Sequence, residues 1–181
     1  MECSARDDPN NASIAFELGV LYFDLGDFAK STTQYTKVLS ITPNDVRAEI
    51  NLAVINAAQE KLPEAMDHFK RAEELKPDHP DIYSNRGWIY FLQKRLDDAI
   101  NDYTRSLNLE PQDADTLFKR ALAYKDKYYL ENAIQDLNNA INIAPQLSRA
   151  IALRRELIDI RSSIVRGAYG LYIPNPRTLF Y

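Results

Sequence analysis

Five of the nine prolines, Pro9, Pro43, Pro77, Pro111 and Pro145, stand at one constant interval, thirty-four places along the chain. A fixed period of that size marks a chain built from one small unit used repeatedly, and it constrains the fold more than any composition figure. Other places keep the same register when units start at Ala12, Val46, Pro80 and Ala114. The eighth residue is always small: Gly19, Ala53, Gly87, Ala121. The twentieth is Ser31, Ala65, Ala99 or Ala133, and the twenty-fourth is Tyr35, Phe69, Tyr103 or Leu137.

Within each unit apolar residues recur at three- and four-residue steps in two stretches, such as Ile14-Leu18-Leu21-Tyr22-Leu25 and Phe28-Tyr35-Val38-Leu39. That spacing predicts two helices per unit. Small residues at the eighth and twentieth places let the two backbones approach, and the large side chain at the twenty-fourth fills the gap between successive pairs. The closing proline cannot continue a helix interior, whereas Pro63 falls where a second helix should begin and its missing N–H is tolerated. Such a hairpin cannot bury its own apolar face and must stack on neighbours.

Composition then excludes several classes. The chain has 181 residues, net charge −4, 45% hydrophobic and 27% charged residues, which is globular rather than disordered. A single cysteine, Cys3, excludes an internal disulfide framework and a cysteine-built zinc site. No apolar run approaches the ~18 residues of a membrane span, and the N-terminus lacks the apolar core of a signal peptide. With a pI near 5.3, nucleic acid is not the expected partner. No cofactor or metal is expected, and the cytoplasm is the expected compartment.

The residues Leu18-Gly19…Tyr22…Ser31…Tyr35…Val38…Pro43, and again Gly87…Tyr90…Ala99…Tyr103…Ser106…Pro111, resemble the tetratricopeptide repeat family. The resemblance covers residues 12–147 as four units, 12–45, 46–79, 80–113 and 114–147. It implies an all-α, right-handed α-α superhelix: a solenoid of four helical hairpins. Departures are Asn56 for an aromatic at the eleventh place, Glu49 for a bulky fourth residue, and Arg86 and Arg120 where Leu is commoner; the hairpin turn keeps its glycine only at Gly26. They are expected to loosen packing around the second unit.

Outside the repeats, residues 1–11 read as the remnant of an upstream repeat or an entry segment, because Pro9 is in register as a closing proline. Residues 148–166 read as a C-terminal capping helix, with an apolar stripe (Ile151, Leu153, Leu157, Ile158, Ile160, Ile164) ringed by arginines and ending at Gly167. Residues 148–181 hold six Arg against Glu156 and Asp159, so they carry +4 while the rest carries −8. Residues 167–181 form an aromatic tail with Pro and Gly that could dock on this chain, engage another protein or copy, or stay unstructured.

Reactive groups are sparse. His68 and His79 read as surface and linker imidazoles and Cys3 as terminal, so the chain is not expected to be an independent enzyme. The family resemblance instead turns the first helix of each hairpin toward a concave groove. That places Phe16, Val20, Phe23, Asn51, Asn85, Trp88, Phe91, Phe118, Lys119 and Leu122 along it. Phe16, Phe23, Trp88, Phe91 and Phe118 read as apolar anchors for a partner's peptide segment or helix, with Asn51, Asn85 and Lys119 as polar readers. The alternative is that the tail or the capping helix covers these rings. The family's dicarboxylate clamp is disfavoured, since its five places hold Ile50, Val54, Asn85, Asp115 and Lys119. The expected function is a protein–protein interaction scaffold. Rival readings are self-assembly as a homo-oligomer through residues 167–181, and an accessory or targeting array of a larger, catalytic protein.

Overall fold

In the computed structural model, residues 11–169 are described. Among them are nine helices and no strand: α1 (Ala12–Asp24), α2 (Phe28–Ile41), α3 (Val46–Ala58), α4 (Leu62–Leu75), α5 (Pro80–Leu92), α6 (Leu96–Leu109), α7 (Ala114–Asp126), α8 (Leu130–Ile143) and α9 (Ser148–Tyr169). The architecture is all-α: α1 pairs with α2, α3 with α4 and α7 with α8 as helical hairpins, and α9 follows α8 at the C-terminal end. The readings of residues 1–10 as an upstream remnant and of 170–181 as a docking tail lie outside the described residues. Two compact units divide the chain, Met1–Gln93 and Lys94–Tyr181, the break falling in the turn between α5 and α6.

The joints between repeats follow from capping chemistry. Asn11, Asp45 and Asp113, each two residues after an in-register proline, accept backbone N–H bonds from the first turns of α1, α3 and α7. Pro63 lies in the first turn of α4 and Pro80 opens α5, where a missing N–H costs nothing. The hairpin turns need one left-handed residue at the fifteenth place. Gly26 supplies it at φ 73°, but Glu60, Lys94 and Tyr128 adopt φ of 62°, 61° and 61° with side chains attached. The amides of Asp27, Lys61 and Tyr129 then close back on the carbonyls of Tyr22, Asn56 and Tyr124, satisfying helix ends that would otherwise be bare.

Packing within the first unit rests on the rings at the twenty-fourth place. Tyr35 is buried with Ala15 and Val38 on one side and Ala48, Leu52 and Ile55 on the other, so one ring joins α1, α2 and α3. Phe69 repeats this between α3 and α5, among Ile50, Ala53, Ala72, Ile82 and Ile89. In the second unit Leu137 plays the same part among Ala121, Ala133, Ala150, Leu153 and Leu157, so α9 covers α8 as a first helix would. The small residues are needed for clearance. A methyl group added at Gly19 would sit 2.8 Å from the Tyr35 ring, and the Gly19 carbonyl accepts a 2.7 Å bond from the Ser31 hydroxyl at the hairpin crossing.

Three sequence expectations change. His68 is not a surface imidazole: its Nδ1 lies 2.6 Å from Oε2 of Glu49, which is itself buried. Glu49 occupies a place where apolar bulk is usual, and burying its carboxylate requires a partner from α4. The Leu-to-Arg departures are likewise paired. Arg86 reaches back to Glu73 at 2.8 Å, and Arg120 forms a two-pronged bond to Asp136 at 2.7 and 2.8 Å while also donating to Thr104. Lastly, α9 continues through Gly167 to Tyr169. A glycine inside a helix costs only about 1 kcal/mol, and no proline follows until Pro174 to force a stop.

Two outcomes are expected. Gly19→Ala should lower the unfolding free energy by about 1–3 kcal/mol in urea titration, because Tyr35 is enclosed and cannot yield. Burial, helped by Asp24, pushes the Tyr35 phenol up to about 12, and burial raises Tyr103 too. An unfolded phenol ionises near pH ~10. The stability these rings confer is therefore complete below that value and lost as pH climbs toward about 12. Circular dichroism should show helix loss in that window, reduced in Tyr35→Phe.

Candidate functional site

The first unit carries a concavity of about 530 Å³ lined by Val54, Ala57, Ala58, Leu62, Asn85, Trp88, Ile89 and Leu92, with Glu60 and Gln93 at its rim. Its origin is local. At the twelfth and thirteenth places the other repeats hold Phe23-Asp24, Phe91-Leu92 and Lys125-Asp126, whereas the second has Ala57-Ala58. Two methyl groups replace two large side chains, and the space beside Trp88 stays open. The Trp88 indole stacks on Phe91 with centroids 5.3 Å apart and planes 21° from parallel, which stiffens that wall. Asn85 donates its amide N–H to the Asp81 carbonyl at 2.8 Å, leaving the amide oxygen as an acceptor among the lining groups.

Of the ten residues expected along the inner helices, Asn85 and Trp88 line this concavity and Phe91 backs it. Phe16 meets Tyr35 edge-on at 5.3 Å and lies under the Arg47 guanidinium at 4.6 Å, so it is half-buried among the unit's own groups. Phe23 packs against Phe28 at 5.7 Å. Val20 is exposed and Asn51 half-buried on the same helices.

The second unit is described separately. Phe118 and Leu122 are half-buried against the α7–α8–α9 core, and the Arg149 guanidinium covers the Phe118 ring at 4.6 Å. The Lys119 ammonium is held by Asp115 at 2.6 Å, and Arg149 binds the same carboxylate. Burial works to raise the Asp115 carboxyl, but Lys119 and Arg149 outweigh it and hold it below its ordinary range. The capping helix thus covers Phe118, and the Lys119 charge is balanced locally.

Sequence reading missed the two covering arginines and the concavity. A signal existed for each. Arg47 and Arg149 both hold the second place in the register directly after a repeat whose fifth residue is Phe, and Ala57-Ala58 is the one pair of small residues at places where other repeats are large. Among the described residues no three His, Cys, Asp or Glu side chains group so as to hold a metal ion, and no helix is long and apolar enough to cross a membrane.

Sequence profiles of the tetratricopeptide repeat match residues 12–45, 55–94, 80–113 and 114–147. The chain belongs to the tetratricopeptide repeat family. Tetratricopeptide repeats act as protein-interaction scaffolds, and that is the class of function this membership supports. The human aspartyl/asparaginyl beta-hydroxylase is 38% identical over 66 residues, 36% of this chain and 9% of that protein, so the likeness spans under a tenth of the relative. Among solved structures, Pseudomonas aeruginosa pilF is similar with a TM-score of 0.78 at 17% identity, over 85% of this chain and 70% of that one. A thermophilic tetratricopeptide protein of Thermus thermophilus gives 0.74 at 19% identity over 84% of each chain. Identities this low establish the repeat fold alone.

Trp88 is the chain's only tryptophan, so its emission reports this wall and nothing else. Acrylamide should quench it well above the level of a buried indole. Ala57→Phe, which fills the space opposite, should shift the emission to the blue and reduce quenching.

Proposed function

We propose that this tetratricopeptide scaffold captures an extended segment or helix of a partner protein on the inner helices of its first unit, seating one apolar side chain in the Ala57–Trp88 concavity. The observation that carries this reading is the open apolar space beside a stacked indole. Phe69, and neither Trp88 nor Phe91, belongs to the core cluster that joins α3, α4 and α5. Burying a branched or aromatic side chain there would remove two faces of apolar surface from water at once, worth about 2 kcal/mol or more. Phe91 and Leu92 extend the apolar strip, and Val20, Phe23 and Asn51 continue along α1 and α3. The Asn85 amide oxygen and the half-buried Asn51 suit hydrogen bonds to a peptide backbone, which recognise chain rather than side chain. Phe16 takes a lesser part, since the Arg47 guanidinium already covers it; Phe118, Lys119 and Leu122 belong to the second unit, where Arg149, Asp115 and the α9 core already engage them.

A second reading, the repeats as a targeting arm of a larger catalytic chain, is favoured by the 66-residue likeness to the beta-hydroxylase. It uses the same concavity and differs only in what the captured segment is delivered to.

The test uses peptides selected from a random-sequence display library against the full chain. Bound peptides should carry an apolar anchor and shift Trp88 emission. Trp88→Ala should weaken them by about 2 kcal/mol, roughly 30-fold, and Ala57→Phe should block them. Peptides that bind both variants as tightly as the parent chain would move the site elsewhere.

A further inference from the structure

The concavity beside Trp88 carries one ionised group and nothing to balance it. Its walls are aliphatic and aromatic, no Lys or Arg is among the residues lining it, and the charge at its rim is the Glu60 carboxylate. Glu60 is exposed, and no cation among the described residues pairs with it. The cations next to it in the chain and on the inner helices of the unit are engaged elsewhere. Lys61 donates to the Gln59 amide oxygen at 3.0 Å, Arg47 is held by Asp45 at 3.1 Å and Arg86 by Glu73 at 2.8 Å. Glu60 holds the fifteenth place of its repeat. In the second unit the fifteenth-place Lys94 pairs at 3.0 Å with Asp126, the thirteenth residue of the repeat that follows. The same step from Glu60 leads to Leu92, an apolar residue lining the same concavity. The turn itself asks for no carboxylate, since Gly26 makes it without a side chain, while Glu60 enters the left-handed region at φ 62° at a steric cost. The amides of Glu60 and Lys61 close on the carbonyls of Ala57 and Asn56 at 3.0 and 2.8 Å, which fixes the carboxylate's place on the rim.

We infer that the segment seated in the concavity is basic as well as apolar: beside its apolar side chain it carries a Lys or Arg that pairs with the Glu60 carboxylate. This rests on the capture of an apolar side chain beside Trp88, proposed above, and adds the charge of what is captured, with Glu60 as the residue that sets it. The argument is complementarity. An acidic segment would bring like charges together over an apolar surface, and a cationic one meets a carboxylate that nothing else engages. The long stem of a Lys or Arg can lie along Leu62 and Leu92 while its head stays in water, which suits an apolar wall with a charged rim. The Asn85 amide oxygen is a further acceptor on the same lining. Since Glu60 and Trp88 line one space, the cation must stand close to the anchor. That means two places away in an extended segment, or three to four in a helix, each roughly 6 Å along the chain.

The probes are two display libraries of short peptides with a fixed central leucine, one with Lys and Arg as its charged residues and the other with Asp and Glu. Each is selected against the full chain, and the enriched peptides are synthesised without tryptophan and titrated by Trp88 emission. Peptides from the basic library should bind at least tenfold tighter, with the cation enriched two to four places from the leucine. Glu60→Gln should weaken them about three- to fivefold, the size of an exposed ion pair, and Glu60→Lys should invert the preference between the libraries. At about 1 M salt, where the screening length falls to ~3 Å, the effect of Glu60→Gln should vanish. Unchanged helix content and peptide-free Trp88 emission in both variants show that the wall itself is intact. Peptides that need Trp88 but come equally from both libraries, or bind Glu60→Lys as well as the parent chain, would overturn the inference and leave the concavity as the site. Tighter binding from the acidic library would overturn it as well. Peptides that bind Trp88→Ala as tightly as the parent chain would instead move the site, and the capture beside Trp88 would fall together with its charge preference.

Discussion

One contact sets the geometry of the repeats: a large side chain at the twenty-fourth place, pressed between backbones that small residues allow to come close. At Tyr35 the clearance is so tight that the facing residue must be glycine, since even a methyl on Gly19 would stand 2.8 Å from the ring. Phe69 packs against Ala53 in the first unit and Leu137 against Ala121 and Ala133 in the second, both at 0% exposure. Helix caps and turn residues fix where each helix starts, but this knob decides how far apart the hairpins lie. The inner helices then have a face that stacking does not consume.

That leftover face divides according to what the chain itself supplies. Where an arginine takes the second place of the register after a fifth-place ring, at Phe16 and Phe118, the guanidinium lies over it at 4.6 Å and the ring is partly shielded from water. Where the neighbouring repeat offers alanines instead, the Trp88–Phe91 pair keeps an open apolar space beside it. Rings of similar chemistry therefore have different availability. The cause lies in neighbouring places of the register, the second of the repeat that follows or the twelfth and thirteenth of the repeat before, rather than in the rings themselves. Polar groups follow the same logic. Glu49 and Arg120, buried or half-buried where apolar residues are usual, are each matched by a group on another helix, so they stabilise or specify packing and leave little for a ligand.

The repeat fold was legible because its signals are local and periodic: prolines at one fixed interval, small residues at two fixed places, two apolar stretches per period. What was not legible depends on pairs far apart in the chain. That His68 should reach Glu49 follows only once the two are brought side by side across α3 and α4, since neither residue is unusual alone. The arginines over Phe16 and Phe118 were visible as residues, not as covers. The concavity is a deficit of volume at Ala57-Ala58, and periodicity records which residues are present better than it records the space between them. The helix α9 passing Gly167 shows the limit of a stop signal that lowers helix stability only slightly.

Rings that hold hairpins together and rings proposed to meet a partner should be separable by energetics. The most direct measurement is the unfolding free energy of the first-unit variants Phe69→Ala and Trp88→Ala from urea titration. Loss of the enclosed ring should cost about 3–5 kcal/mol, and loss of the half-buried indole less than half as much. Equal losses, or a larger one at Trp88, would show that the indole is part of the packing and contradict the division of roles described above.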